Sequence, residues 1–280
     1  MVVGETVTVR GENAARRRLR LSERSEVEVE LSWHGLTNVG HRREVNQDSF
    51  VTLPPIFAVA DGMGGHAAGE VASAAVVRRL AELGGGRAVS ARDFEDALDD
   101  AISDIELNVG EAGIGTGTTV TGLILDDSVD EPSWTVFNVG DSRVYQFFKG
   151  ALSRLTVDHS VVQHLIDTGQ ITPEEAEYHP HANVITRAVG LGEDPAPDYA
   201  KVALIPGQRL LICSDGLTKE LTDAGIEHYL GSAGSAREAA ETLMEQALGN
   251  LGRDNVTVIV IDVHAVGDMR DTTEVPTLAE

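Results

Sequence analysis

Five aspartates recur beside glycine, asparagine or serine, and the last four of them each follow an apolar run that predicts a strand. They are Asp48, Asp61, Asp141, Asp215 and Asp254. Acidic side chains at several strand ends can converge, and clustered carboxylates repel one another unless protons or cations lie between them. Carboxylate oxygens suit Mg²⁺ or Mn²⁺. The pattern therefore favours a fold that brings these strand ends together around divalent cations.

Taken singly, each of these aspartates has a local explanation. Asp-Gly is a common turn pair, and aspartate also caps helices. For Asp141 the local alternative is a turn aspartate paired with Arg143. Only the recurrence of the pattern along the chain favours a shared site.

The balance of charge argues against a nucleic-acid-binding protein. The chain carries a formal charge of −23 and has a sequence pI near 4.6, whereas phosphate backbones require a basic surface. Positive charge concentrates near the start, at Arg16, Arg17, Arg18 and Arg20. We interpret residues 1–30 as an arginine-rich, solvated and poorly ordered extension. The alternative is a contact with an acidic partner or a membrane surface.

Cysteine use and hydropathy favour the cytoplasm. No stretch approaches the roughly 18 apolar residues that span a bilayer, and no apolar segment follows the N-terminal charges as in a secretory signal. The single cysteine, Cys213, lies in an apolar run and is interpreted as a buried thiol in a reducing compartment.

The apolar spacing predicts an α+β fold. Helical periodicity begins at Ala67, Phe94 and Ala236, and Ser235 with Glu238 predicts a capping box before the third helix. Short runs rich in Val, Ile and Thr predict strands that cluster between the helices, which indicates antiparallel sheets. Residues 27–31 alternate and suggest an edge strand. We place the folded body at residues 31–266 and a disordered tail at 267–280.

One glycine-rich segment competes with the metal hypothesis. Gly62-Met63-Gly64-Gly65 follows a predicted strand and precedes a helix, as in a dinucleotide-binding turn. Asp61 would repel a pyrophosphate there, and the next predicted element is a second helix where that fold needs a strand. We therefore disfavour this alternative.

Eight ordered motifs between residues 33 and 263 resemble those of the metal-dependent Ser/Thr protein phosphatases, the PPM or type 2C family, in its bacterial form. They are Arg43-Glu-Val-Asn-Gln-Asp48, Val59-Ala-Asp-Gly-Met-Gly-Gly-His66, Gly115-Thr-Gly-Thr-Thr119, Asn138-Val-Gly-Asp-Ser-Arg143, Thr156-Val-Asp-His-Ser160, Asn183-Val-Ile-Thr-Arg187, Ser214-Asp-Gly-Leu217 and Arg253-Asp-Asn255.

The resemblance implies a sandwich of two antiparallel sheets flanked by helices, with two ions in a cleft at one end. In that family pattern Asp61 bridges both ions, and the Gly62 carbonyl binds one of them. Asp215 and Asp254 bind the other ion. Asp48 acts mostly through water on the metal.

The resemblance also implies hydrolysis of phosphoserine and phosphothreonine in proteins, opposing Ser/Thr kinases in signalling. Arg43 holds the substrate phosphate, since a guanidinium fits two phosphate oxygens at once. A water activated by two Mn²⁺ or Mg²⁺ ions attacks phosphorus without a phosphoenzyme. The implied partners are phosphoproteins, Ser/Thr kinases among them, and the implied state is a monomer.

Some positions depart from the family pattern. Met63 stands where some relatives carry a histidine proposed as general acid, so no acid is assigned. A weaker third ion would use Asp141 and Asp215, but Lys219 replaces the third acidic ligand. These departures leave two alternatives open: a catalytically weak phosphoprotein-binding module and a small-molecule phosphoesterase. Residues 160–190 resemble the family's mobile flap, with Asp158 and His159 supporting its base.

Overall fold

The computed structural model describes residues 9–20, 27–64, 68–85, 88–109, 115–126, 132–192 and 195–268, and these form thirteen strands and seven helices. The strands are β1 Val9–Gly11, β2 Ala14–Arg20, β3 Val27–Asn38, β4 Asp48–Leu53, β5 Ile56–Met63, β6 Gly117–Thr118, β7 Val120–Asp126, β8 Ser133–Val139, β9 Arg143–Phe148, β10 Ala151–Arg154, β11 Asp198–Ala203, β12 Arg209–Cys213 and β13 Val256–Asp268. The helices are α1 Ala68–Glu82, α2 Ala91–Val109, α3 Val161–Asp167, α4 Pro173–Ala176, α5 Asp215–Thr218, α6 Asp223–Ser232 and α7 Ala236–Asn250.

The strands form two sheets. The first has the order β1-β4-β5-β7-β8-β11, with β6 paired to β5, and the second has the order β10-β9-β12-β13-β3-β2. The pairing is antiparallel throughout, apart from the parallel pair β1–β4. The predicted α+β class with antiparallel sheets is thereby confirmed.

The fold has four layers, in the order helices, sheet, sheet and helices, and an apolar core lies between each pair of neighbouring layers. Between the sheets, the ring of Phe57 packs edge-on against Trp33 and Trp134, with centroid distances of 5.4 and 6.1 Å. Outside the first sheet, α1 and α2 bury their apolar faces, and Phe94 meets Phe137 at 4.3 Å. Helices α6 and α7 cover the second sheet in the same way. Burial of helix stripes on both outer faces is the arrangement expected of an α-β-β-α sandwich.

The three strongly periodic helices form where the sequence predicts them. The dinucleotide-binding alternative for residues 62–65 fails here, because α1 is followed by α2 and not by a strand. The predicted capping box before α7 forms only in part. Ser235 Oγ accepts a hydrogen bond from Glu238 N at 3.1 Å, but Glu238 Oε2 accepts from Gly234 N instead of from Ser235 N.

The interpretation of the arginine-rich stretch as poorly ordered is wrong for residues 9–20. Strand β2 extends the edge of the second sheet, and β1 extends the edge of the first. Glu30 of β3 contributes to this pairing, since it forms ion pairs with Arg16 and Arg18 across the strands. Strand β3 itself lies between β13 and β2, so the edge-strand prediction for residues 27–31 is also wrong.

The boundaries of the predicted extension and tail shift accordingly. Residue 30 lies inside β3, and β13 continues to Asp268, two residues into the predicted tail. The rest of the tail, residues 269–280, lies outside the described residues, as do Gly65 and His66. Among the helices that the structure describes, none combines the length and the apolar character needed to cross a membrane.

Candidate metal centre

Asp48 and Asp61 form a cross-strand pair. Strands β4 and β5 pair in a register that places the two residues directly opposite each other. The side chain of Asp48 is fully buried, and its Oδ2 accepts from Ser214 Oγ at 2.9 Å and Thr257 Oγ1 at 2.6 Å. Burial raises the pKa of Asp48 to about 7, against the effect of these two hydrogen bonds, and the charge of Asp215 adds to the rise.

The backbone at Asp61 is held by two threonines. The Asp61 amide donates to Thr119 Oγ1 at 3.0 Å, and the Asp61 carbonyl accepts from Thr118 Oγ1 at 3.0 Å and from Thr119 N at 2.9 Å. Burial raises the pKa of the Asp61 carboxyl well above its usual range, and the carboxylates of Asp48, Asp215 and Asp141 raise it further. Four acidic groups from separate parts of the chain therefore share one electrostatic neighbourhood.

Gly62 lies where strand and helix approach most closely. A Cβ at this position would lie 2.0 Å from the Gly69 carbonyl oxygen at the start of α1 and 2.7 Å from the Gln47 carbonyl oxygen. Only glycine permits this approach. The glycine that looked like part of a dinucleotide turn thus serves to pack α1 against β5.

Asp215 and Asp254 come from opposite ends of neighbouring strands. Asp215 opens α5 directly after β12, and Asp254 lies two residues before β13. Because β12 and β13 are antiparallel, with Cys213 opposite Val258, the end of one strand meets the beginning of the other. The Oδ1 atoms of Asp215 and Asp48 are both buried and have no hydrogen-bond partner among the described residues.

Asp141 follows β8 in a turn that begins at Gly140, whose φ of +113° favours glycine. Burial raises the pKa of Asp141 to about 7, with a contribution from Asp215 and then Asp158. Arg143 does not pair with it. The guanidinium instead binds Asp158, from Nη2 to Oδ2 at 2.6 Å and from Nε to Oδ1 at 2.9 Å. The local alternative for Asp141 therefore loses its proposed partner.

Two cationic side chains stand against these carboxylates. Arg43 contacts both oxygens of Asp254: Nη2 donates a hydrogen bond to Oδ2 at 2.9 Å, and Nε forms an ion pair with Oδ1 at 2.8 Å. Lys219 Nζ lies 2.9 Å from the same Oδ2 and also forms an ion pair with Asp215. Burial opposes the ionisation of Asp254, but the charges of Lys219 and Arg43 hold its pKa below the ordinary value.

The sequence motifs contain two asparagines whose supporting role the sequence did not reveal. Asn255 accepts from Gln47 N at 2.8 Å and donates to the carbonyls of Val39 and Val45, which ties the segment before β4 to the start of β13. Asn46 Oδ1 accepts from Asp48 N at 3.1 Å. In the sequence, only their positions close to Asp254 and Asp48 indicate that these asparagines support the site.

The segment after Asp158 returns to the site through its last residues. It carries α3 and α4, and Val189 pairs with Thr118, which holds the Asp61 carbonyl. At its base, His159 Nδ1 accepts from Gly140 N at 3.1 Å, and Asp198 contacts both His159 Nε2 and Arg187 Nη1. That Asp158 and His159 support the base of a flap stays a prediction.

The donor set fits hard divalent cations. It consists of carboxylate oxygens, two of which are buried and lack a partner, and burial together with mutual repulsion raises the pKa values of Asp48, Asp61 and Asp141. Across the described part of the chain, however, no three Asp, Glu, His or Cys side chains already stand at the spacing that holds one metal ion. Two of the acidic groups, Asp215 and Asp254, face Lys219 instead.

The chain is similar in sequence to known protein phosphatases. A sequence model described as protein phosphatase 2C matches residues 39–251. The chain is 36% identical over 241 residues to the serine/threonine protein phosphatase PstP of Mycobacterium tuberculosis, covering 85% of this chain and 46% of that protein. It therefore spans about half the length of these curated relatives. It is also 34% identical over 243 residues to the serine/threonine phosphatase stp of Listeria innocua, covering 83% of this chain and 95% of the relative.

A solved structure shares the fold. The catalytic domain of PstP in complex with two manganese ions superposes with a TM-score of 0.74 at 35% identity, covering 84% of this chain and 99% of that domain. The architecture described above is thus one that holds a pair of manganese ions in a similar protein.

Proposed function

Because this chain belongs to the protein phosphatase 2C family, we propose that it hydrolyses phosphoserine and phosphothreonine in proteins with the help of two Mn²⁺ or Mg²⁺ ions. One observation carries the proposal. In the cluster of Asp48, Asp61, Asp141 and Asp215, burial and then the charges of neighbouring carboxylates raise the pKa values of Asp48, Asp61 and Asp141. Such a cluster is costly without cations, and the relatives named as Ser/Thr phosphatases share the fold around it.

The residues divide into three roles in this proposal. Asp61 and the Gly62 carbonyl, Asp215 and Asp254 would hold two ions, and Asp48 would act through an intervening water. Asp141 and Asp215 would contribute to a weaker third ion. When bound, the ions would supply positive charge to the phosphoryl group and lower the pKa of water. The chain itself buries Asp48 and orients its carboxylate through Ser214 and Thr257, and it fixes the backbone of Asp61 through Thr118 and Thr119.

Arg43 is proposed to hold the substrate phosphate. Its guanidinium is half exposed at the rim of the centre and already forms a two-pronged contact with a carboxylate, the geometry that it would use for two phosphate oxygens. No residue is assigned as general acid.

A second candidate function rests on a specific observation. Lys219 and Arg43 both bind Asp254, so a phosphatase-like body that recognises phosphoprotein but turns it over poorly remains a rival. Substantial turnover with Mn²⁺ would eliminate that rival. A small-molecule phosphoesterase would be distinguished by a higher kcat/KM on phosphorylated metabolites than on phosphopeptides.

The decisive assay measures phosphate release from a phosphothreonine peptide while Mn²⁺ is titrated. We expect activity to depend on the ion, to vanish in excess EDTA, and to fall at least about a hundredfold in Asp215→Asn. Asp99→Asn, an exposed carboxylate on α2, is the matched control and should behave as the wild type. Full activity of the wild type in EDTA, or undiminished turnover by Asp215→Asn, would refute the proposal.

We further propose the setting in which this activity operates. The catalytic domain would span residues 31–266, with residues 160–190 as a flap over the site. Its substrates would be phosphoproteins, including Ser/Thr kinases, and it would act as a monomer in signalling. Cys213 is a fully buried free thiol, which is compatible with the reducing conditions of the cytoplasm.

A further inference from the structure

Lys219 is placed by helix geometry against two of the proposed metal ligands. It follows α5 and lies four residues after Asp215, so the two side chains share one face of the helical turn. Its Nζ forms ion pairs with Asp215 Oδ2 and, at 2.9 Å, with Asp254 Oδ2. The side chain is 29% exposed.

The ammonium occupies oxygens that a divalent cation would need. An ammonium approaches a carboxylate oxygen to about 2.8 Å, whereas Mg²⁺ binds one at about 2.1 Å, so one oxygen lone pair cannot serve both at full strength. The two cations would also repel each other at this separation. The positive charge of Lys219 acts on Asp61 and Asp141 as well, so its influence extends across the centre.

We propose that Lys219 is a tethered cation that holds Asp215 and Asp254 together in the metal-free protein, so that ion binding at this pair proceeds by displacement of its ammonium. The inference rests on the proposed metal centre and adds a regulatory element to it. The sequence suggested that Lys219 would only weaken a third ion. The contacts instead place its ammonium on the pair proposed to hold the second ion.

Displacement has two consequences that can be measured. The lysine supplies part of the charge compensation that the carboxylates need, so the metal-free fold is less strained than the acidic cluster alone would make it. The same compensation must be given up when the ion binds, which lowers the affinity for the ion. Occupancy of the centre would therefore respond to a higher range of ion concentration than a purely acidic site does.

Calorimetric titration of Mn²⁺ into the full chain tests the affinity. Replacing the ammonium by an uncharged side chain of similar length, Lys219→Met, should tighten binding of one ion at least about tenfold. Lys219→Arg keeps the charge and should bind as weakly as the wild type. The matched control is Lys201→Met, which removes an ammonium that pairs with Asp126 away from the centre and should leave affinity unchanged.

A second measurement needs no substitution and therefore no assumption about folding. The chain has three lysines, Lys149, Lys201 and Lys219, and trace acetylation with quantitative mass spectrometry reports the access of each. Without metal, Lys219 should react more slowly than the other two, which are exposed. Mn²⁺ should increase acetylation of Lys219 severalfold and leave Lys149 and Lys201 unchanged.

The outcomes separate this inference from the proposed function. If the wild type binds Mn²⁺ and hydrolyses phosphopeptide, but Lys219→Met binds no more tightly and Lys219 acetylation does not respond to the ion, the tethered-cation inference is overturned and the phosphatase proposal stands. If neither protein binds Mn²⁺ and neither is active, the metal centre itself fails and the inference fails with it.

Discussion

Arg43 and Asp254 are joined by a two-pronged ion pair, in which Nε and Nη2 of the guanidinium each contact one carboxylate oxygen within 2.9 Å. The two residues are far apart in the sequence and meet at the rim of the acidic centre. Because a phosphate group presents the same paired oxygens as a carboxylate, the contact shows how Arg43 could engage a substrate once Asp254 turns towards an ion.

Replacing Arg43 by lysine should weaken substrate binding. A lysine keeps the charge but offers a single point of contact in place of a fork, so we expect the KM for a phosphothreonine peptide to rise and kcat/KM to fall by about tenfold. Steady-state kinetics at saturating Mn²⁺ would measure this. The neighbouring exposed Arg42→Lys serves as the control. Equal loss in both variants would argue against a specific role for Arg43.

Gly62→Ala should disrupt the contact between β5 and α1. The added Cβ would meet the backbone oxygens of Gly69 and Gln47 at 2.0 and 2.7 Å, and overpacking of this kind costs about 1–3 kcal/mol or more. Thermal unfolding of the metal-free protein should report a lower melting temperature, and Mn²⁺ titration should report weaker binding.

The control for that substitution is Gly249→Ala near the end of α7, where an added Cβ meets nothing within 4 Å. It should stabilise the protein slightly, by about 0.5–1 kcal/mol, because alanine restricts the unfolded chain more than glycine does. A Gly62→Ala variant as stable as the wild type would show that the close approach of strand and helix is not required.

Asp198→Asn should loosen the base of the flap. Burial acts in the opposite direction, but hydrogen bonds from Arg187 and His159 hold the pKa of Asp198 below its ordinary value of 3.8. A carboxyl with a lowered pKa stabilises the fold above that value and loses its contribution as the pH falls through the lower one. Hydrogen exchange of residues 160–187 should therefore be about two- to threefold faster in the variant at pH 7 and at pH 5.

The same difference should disappear only below pH 3.8, where the wild-type carboxyl also becomes protonated. Asp99→Asn, which lies on α2, should leave exchange in this segment unchanged at every pH. Identical exchange of the wild type and Asp198→Asn at pH 7 would mean that the ion pairs of Asp198 do not restrain the flap.

Local signals explain what could be predicted from the sequence. The long amphipathic helices carry their own periodicity, and the recurrent Asp-Gly, Asp-Ser and Asp-Asn pairs mark the strand ends that meet at the centre. The sequence carries no comparable signal for which strands and which side chains will pair with each other. The arginines of β2 looked like a solvated arm because their compensation comes from Glu30 on the neighbouring strand, which only the register of the sheet reveals.

The side-chain partners within the site were equally hidden. Arg143 stands two residues from Asp141 in the sequence, yet its guanidinium reaches Asp158 on the far side of a hairpin. Lys219 stands at the position where the family pattern has an acidic ligand, but its contact with Asp254 depends on how α5 meets the start of β13. Residue types at spaced positions predict a cation site, whereas the pairing inside it follows from packing.

Anomalous scattering from crystals grown with Mn²⁺ would show whether Asp61, Asp215 and Asp254 converge on divalent cations. We predict two manganese peaks that both contact Asp61, one of them also bound by Asp215 and Asp254 with the ammonium of Lys219 moved aside. Crystals at the same Mn²⁺ concentration with no peak at Asp61, or with manganese bound only elsewhere on the acidic surface, would contradict the account.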